Sequence, residues 1–174
     1  LVDVYAELLK TLGGSWVEQH YPDIVRHLVD ELGCGAAAGL GWVGWSARAA
    51  ERIDPANARY DALAARKAVG ILLRDVVSAQ LLSEAGQITA LREVATLYLS
   101  KWPSLMPNTP GPTKQALLLA LEETTSLLRS LGCAPPAAQD VVYDPLVRLA
   151  AHPSHSVQVA AAWALRTLCS AAPN

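Results

Sequence analysis

The chain has 174 residues, of which 52% are hydrophobic and 17% charged, and its formal net charge is −2 at pH 7. This balance excludes a natively disordered chain, and the absence of any block of five like charges argues against a surface for nucleic acid or anionic lipid. Phe is absent and aromatic residues make up only 6%, so the core must be built mainly from aliphatic residues. Leu and Ala lose little on entering a helix, which favours packed helices over sheets.

Three cysteines, Cys34, Cys133 and Cys169, are far apart and odd in number, and no CxxC pair occurs. This spacing argues against a disulfide framework or a zinc knuckle and predicts buried or half-buried thiols in a reducing compartment. No apolar run approaches the ~18 residues of a membrane span without a charge or a helix breaker, so we expect no transmembrane segment. Because the sequence starts at Leu1 without an initiator Met, we also expect it to be part of a longer polypeptide.

Hydrophobic residues recur at helical spacing along most of the chain, which predicts an all-α fold with about seven helices and no strand. The predicted helices cover residues 1–12, 16–32, 57–81, 84–101, 113–131, 138–151 and 156–171. The first is a single trailing helix, and the other six are expected to pair in chain order as antiparallel hairpins.

The second predicted helix contains three features that predict its limits. Ser15 followed by Glu18 forms a capping-box pattern, in which each side chain would bond a free backbone N–H of the first turn. Gly33 is placed to cap the C-terminus. Pro22 lies inside the helix and predicts a kink or a break about one turn from its start.

Two segments are predicted to lie outside the helices. Residues 33–56 hold five glycines together with Trp42 and Trp45, and they are predicted to form a long loop. The two indoles either fold back over the helices or stay exposed and bind a protein, peptide or lipid interface. Residues 103–112 contain four prolines and predict a linker.

The last thirty residues follow the pattern of a helical hairpin. Pro153 breaks the turn, and the helix after it carries one apolar stripe, in which small alanines would let the partner helix approach closely. The stripe comprises Val157, Ala161, Ala164, Leu165 and Leu168. Trp163 lies off this stripe, so we expect it either to pack on a neighbouring repeat or to line an inner binding surface.

This pattern resembles the HEAT repeat, an antiparallel helix pair that stacks sideways into an α-solenoid. HEAT repeats place an Asp before the proline and an Arg after the valine, and the two form a ladder of hydrogen bonds between repeats. Here those positions hold His152 and Gln158, so this repeat lacks the usual pair.

No arrangement of residues points to catalysis, a cofactor or a metal. His152, His155 and Cys169 could supply metal ligands only if they converged, and a polar turn between helices is the simpler interpretation. Glu122 and Glu123 are adjacent, so they point about 100° apart on a helix and cannot flank a substrate. We therefore interpret them as a solvated helix face and predict a protein without enzymatic activity.

Three motifs resemble those of the HEAT-repeat-containing protein 5 family, very large accessory proteins of the type-1 clathrin adaptor. They are the turn at residues 11–18 (TLGGSWVE), the helix at residues 67–74 (KAVGILLR) and the helix at residues 160–166 (AAAWALR). The likeness spans nearly the whole chain but does not extend over residues 33–56 and is weak over residues 102–112.

The resemblance implies a non-catalytic, cytoplasmic scaffold that associates peripherally with endosomal and trans-Golgi membranes. It implies partners in the clathrin-adaptor machinery, a role in vesicle-mediated transport, and continuation of the chain into neighbouring repeats. No catalytic residue or cofactor is carried over from the family. The alternative from the residues alone is a peptide-binding or lipid-interface module that uses Trp42 and Trp45.

Overall fold

The computed structural model describes residues 2–34, 55–104 and 110–172, and every regular element in these ranges is helical. Eight helices follow one another: α1 Val2–Leu12, α2 Gly14–Gln19, α3 Tyr21–Arg26, α4 Pro55–Ile71, α5 Glu84–Leu97, α6 Lys114–Leu131, α7 Pro136–Leu149 and α8 His155–Ala171. Wider π-helical turns extend α3 over His27–Cys34 and α4 over Leu72–Leu81, and a short 3-10 turn, Leu99–Lys101, follows α5.

The helices form a two-layer α-solenoid. In one layer α3, α5 and α7 lie side by side, and in the other layer α4, α6 and α8 do so. Each helix also packs against its partner across the layers, so that extended α3 contacts α4, α5 contacts α6, and α7 contacts α8. Each pair thereby buries its apolar face against the next pair, as in helical repeat proteins. The prediction of an all-α solenoid is confirmed.

The core runs through both layers and consists mainly of Leu, Val and Ala. The stripe predicted for α4 and its extension is buried in full: Val69, Leu72, Leu73, Val76 and Val77. Helix α6 buries a much wider arc, because the extension of α3, α4 with its extension, α5 and α8 all pack against it.

The helix predicted over residues 16–32 is divided in two at His20, and for this reason the described ranges contain eight α-helices where the sequence predicts about seven. Pro22 lies in the first turn of α3, where its missing N–H would have no intrahelical partner. The break therefore falls one turn from the start, as Pro22 predicts.

The capping box predicted at this helix is not formed. Gly13 is the N-cap of α2, and no side chain caps it. The Glu18 carboxylate instead accepts a hydrogen bond of 2.6 Å from the backbone N–H of Ser83, the N-cap residue of α5. Glu18 thus links α2 to the start of a helix that lies 65 residues away.

The prediction that Gly33 caps the second helix is also wrong. Gly33 is buried inside the π-helical extension of α3, and a Cβ on it would lie 2.5 Å from Leu119 Cδ1. The glycine therefore serves close packing against α6 rather than chain reversal. Of the predicted loop at 33–56, residues 35–54 lie outside the described part of the chain, as do residues 105–109 of the proline-rich linker.

Candidate interaction surface

The stripe predicted on α8 faces α6 and α7. Four of its members are buried, and the fifth, Leu165, is partly buried against the core. The buried four are Val157, Ala161, Ala164 and Leu168. Because two of them are alanines, α8 can approach its neighbours closely. The opposite face of the helix is not needed for packing against α6 and α7.

In the turn between α7 and α8, His152 and Gln158 form their hydrogen bonds close to the turn itself. The Gln158 amide donates a hydrogen bond of 2.8 Å to the His152 carbonyl, and His152 Nδ1 accepts one of 2.9 Å from the Ser154 N–H. The His152 ring is buried and lies 4.7 Å from the Trp102 ring, measured between centroids. His152 and Gln158 therefore stabilise their own turn, whereas the usual Asp and Arg of a HEAT repeat bond across repeats.

Trp163 lies on the outer face of α8 and is 48% exposed. Val159, one turn earlier, is 42% exposed, so the two side chains form an apolar ridge. The Arg166 guanidinium carbon lies 5.1 Å from the centroid of the Trp163 ring, which is cation–π distance. Helix α8 contains no Asp or Glu. We call Val159, Trp163 and Arg166 the α8 face; it is an exposed apolar surface with a positive charge at its edge.

Exposed apolar side chains also occur at Trp16 of α2 and at Leu63 and Ile71 of α4, and two further helices carry them at one-turn spacing. On α7 they are Tyr143 and Val147, one turn apart. On α1 they are Val4, Leu8 and Leu12, which are spaced at single turns along one side of the helix. Trp42 and Trp45, the other predicted partner contacts, lie outside the described residues.

One buried polar group was missed by the sequence analysis. Glu123 is only 2% exposed, so its prediction as part of a solvated helix face is wrong, whereas Glu122 beside it is exposed. Glu123 lies between Leu119 and Leu127 at one-turn spacing, and both leucines are buried. The i, i+4 and i+8 spacing of Leu119, Glu123 and Leu127 is the sequence signal that could have placed the glutamate on the wide buried face of α6.

The Glu123 carboxyl connects three helices. Its Oε1 accepts hydrogen bonds from the Tyr21 hydroxyl of α3, at 2.9 Å, and from the Ser78 hydroxyl in the extension of α4, at 2.6 Å. Its Oε2 is buried and has no hydrogen-bond partner within the part of the chain that the structure describes. Burial outweighs the two hydrogen bonds and raises the pKa of Glu123 to about 6. Burial, reinforced by the charge of Glu123, likewise raises the pKa of Tyr21 well above its ordinary value.

Two of the three cysteines do not lie where the sequence predicts, and the side chain of the third, Cys34, lies outside the described part of the chain. Cys133 and Cys169 are free and exposed, so the prediction of buried or half-buried thiols is wrong for both. Cys133 lies in the turn after α6, and Cys169 lies on the side of α8 away from the buried stripe, which explains their exposure.

The described ranges contain neither a metal-binding cluster nor a membrane-spanning helix. Within 2–34, 55–104 and 110–172, no group of three or more His, Cys, Asp or Glu side chains is arranged to hold a metal ion. No helix in these ranges is long and apolar enough to cross a membrane.

Comparison with known proteins gives one family match. Residues 144–170, which cover the second part of α7 and nearly all of α8, match the Armadillo/beta-catenin-like repeat. This is a helical repeat family related to HEAT, so the match supports a repeat solenoid without singling out the HEAT-repeat-containing protein 5 family. No solved structure matches the chain.

Proposed function

We propose that the chain is a non-catalytic scaffold segment that binds protein partners through the α8 face. The solenoid and the Armadillo-type match support a scaffold, since such repeats usually provide extended surfaces for protein binding. The observation that carries the proposal is the exposed indole of Trp163, because tryptophan and arginine are enriched among the residues that dominate binding energies.

The α8 face fits a partner segment that carries an apolar side chain next to a carboxylate. The apolar ridge of Val159 and Trp163 would bury the side chain, and Arg166 would pair with the carboxylate. Since α8 has no acidic residue of its own, nothing on this helix repels such a partner.

We further propose that this scaffold acts in clathrin-adaptor-dependent transport at endosomal and trans-Golgi membranes. Support for this finer assignment comes from the resemblance of residues 11–18, 67–74 and 160–166 to the HEAT-repeat-containing protein 5 family. The chain would then be cytoplasmic, would reach the membrane through its partners, and would be one part of a longer array.

Helix α1 fits a place inside a longer array. Its exposed apolar side, Val4, Leu8 and Leu12, resembles a surface that another helix covers, whereas its charged residues Asp3, Glu7 and Lys10 lie elsewhere around the helix. In the parent protein we expect the amides of α1 to exchange with solvent more slowly than in the isolated chain, because a neighbouring repeat would cover this side.

The binding proposal is tested by Trp163→Ala, with Tyr143→Ala as the matched control. Both remove an exposed aromatic ring, but Tyr143 lies on α7, outside the α8 face. Purified adaptor complex would be titrated against each variant by calorimetry. We expect Trp163→Ala to weaken binding at least tenfold, corresponding to about 1.4 kcal/mol, and Tyr143→Ala to change it less than twofold.

Three outcomes would contradict parts of this proposal. Equal weakening by both variants would show that the α8 face is not the contact. If the adaptor does not bind the wild-type chain, and full-length protein lacking residues 1–174 binds it normally, the segment is a spacer. Binding that is lost with Trp42→Ala and Trp45→Ala, but kept with Trp163→Ala, would move the contact to the segment 33–56.

A further inference from the structure

The carboxyl of Glu123 lies at the junction between the first two helix pairs of the solenoid. The first pair is α3 with α4, and the second is α5 with α6. Glu123 belongs to α6, and both of its hydrogen-bond donors, Tyr21 and Ser78, belong to the first pair. Among the described residues, Glu123 is the side chain of α6 that hydrogen-bonds through one oxygen atom both to α3 and to the extension of α4.

The two oxygens of this carboxyl have different surroundings. Oε1 accepts two hydrogen bonds, which suits the carbonyl oxygen of a neutral acid. Oε2 is buried away from bulk solvent and has no hydrogen-bond donor among the described residues, so an ionised carboxylate would hold charge at a poorly stabilised atom. The geometry therefore favours the protonated acid in the closed junction.

The charged groups of the surrounding helices do not relieve this cost. Partial burial raises the pKa of Glu122, the neighbouring residue, and the charges of Arg66 on α4 and Arg74 in its extension oppose this rise; Arg74 also pairs with Asp75. After burial and Glu123, the charges of Glu93 and Tyr98, from the region of α5, raise the pKa of Tyr21 further. The Tyr98 hydroxyl donates a hydrogen bond of 3.0 Å to Asp30. The remaining charged groups on the helices that pack against α6, among the side chains that the structure describes, are exposed or half-exposed. They are Asp23, Arg26, His27 and Glu31 near α3, Lys67 on α4, Glu84, Arg92 and Lys101 near α5, and His155 and Arg166 on α8.

We propose that protonation of Glu123 closes the junction between the first two helix pairs, so that this part of the solenoid is tighter in mild acid than at neutral pH. When the acid loses its proton, opening of the junction lets water reach Oε2. The junction therefore acts as a proton-dependent joint within the scaffold, independently of any partner bound at the α8 face.

The size of the effect follows from the two pKa values. The carboxyl has a pKa of about 6 in the closed junction and 4.5 as the ordinary value that applies once water reaches it. Because the closed state binds the proton more tightly, its stability falls as the pH rises from 4.5 through about 6 and stays low above that. Opening should then be about 30-fold more favourable at pH 7.5 than at pH 4.

Hydrogen exchange of the backbone amides in α3 and α6, corrected for intrinsic rates, measures this opening between pH 4 and 7.5. In the wild-type chain we expect the opening constant to rise about 30-fold with pH. In Glu123→Gln, which mimics the neutral acid, the opening constant should not change with pH. In Glu7→Gln, a control that removes an exposed carboxyl of α1 outside this junction, the opening constant should rise as in the wild type.

A second measurement does not depend on how well the glutamine variant folds. The ¹³C chemical shift of the Glu123 carboxyl in the wild-type chain reports its titration midpoint directly. Tyr21→Phe removes a donor that favours the charged form, so it should move both this midpoint and the exchange profile to higher pH. A Glu123 midpoint at or below 4.5, or an unchanged rise of opening with pH in Glu123→Gln, would overturn the proposal.

Discussion

The close contact between Gly14 and Leu81 makes α2 sensitive to a single methyl group. Gly14 begins α2, and a Cβ on it would lie 2.5 Å from the backbone oxygen of Leu81 and 3.5 Å from the carbonyl carbon. Both atoms belong to backbone, so rotation of a side chain cannot relieve the clash. Gly14→Ala must therefore move α2 away from the extension of α4 by up to about 1 Å to restore van der Waals distance.

The expected loss of stability combines two terms. Overpacking of this kind costs about 1–3 kcal/mol, and the gain in helix propensity from alanine returns less than about 1 kcal/mol at the end of a helix. The same movement would stretch the hydrogen bond from the Ser83 N–H to Glu18, because Ser83 follows Leu81 by two residues. We expect Gly14→Ala to lower the free energy of unfolding by about 2 kcal/mol, or the melting temperature by about 4–8 °C.

Two other glycines provide matched controls for this variant. Gly13 has φ +84° and ψ 159°, a backbone region that is essentially restricted to glycine, so Gly13→Ala should cost about 1–3 kcal/mol through backbone strain, although no atom lies within 4 Å of the position that a Cβ would take. At Gly70, inside α4, a Cβ would meet only the flexible end of Glu122 at 3.1 Å, so Gly70→Ala should gain up to about 1 kcal/mol. Urea unfolding followed by circular dichroism would rank the three. A Gly14→Ala chain as stable as Gly70→Ala would refute the reasoning.

Other predictions follow from the hydrogen bonds and the core. Glu18→Gln should lower the free energy of unfolding at pH 7 by about 1 kcal/mol, since the hydrogen bond from Ser83 is weakened. The side chain of Ser83, together with its backbone N–H, lowers the pKa of Glu18, so the difference between wild type and Glu18→Gln should shrink as the pH falls below 4.5 in urea titrations. Leu128→Ala, at a fully buried site, should cost about 2–5 kcal/mol in the same assay, and a loss below 1 kcal/mol would contradict close packing there. Trp163→Ala should cost less than about 1 kcal/mol, because half of the side chain is already exposed; a larger loss would assign the indole to the core.

The helical elements could be predicted from the sequence because their information is local. In α4 and its extension, Val69, Leu72, Leu73, Val76 and Val77 recur at helical spacing, and all five are buried. The position of Pro22 predicted the break in the second helix, because a proline disrupts the helix before it whatever packs nearby.

The partners of polar side chains could not be predicted in the same way. Glu18 has the local spacing of a capping box, yet its partner is the N–H of Ser83, which only the packing of α2 on the extension of α4 brings near. Cys133 and Cys169 are exposed although their residue type is usually buried, because neighbouring helices do not cover those positions.

The sequence by itself therefore determined the helices, their order and the all-α class, because apolar spacing and helix-breaking residues act over a few residues. Only the tertiary structure decided that Glu123 is buried, since Tyr21 lies 102 residues away and Ser78 lies 45 residues away along the chain. It also decided that Trp163 is half-exposed beside Arg166. Burial depends on which helices meet, and that is fixed by the packing of whole faces rather than by any local pattern.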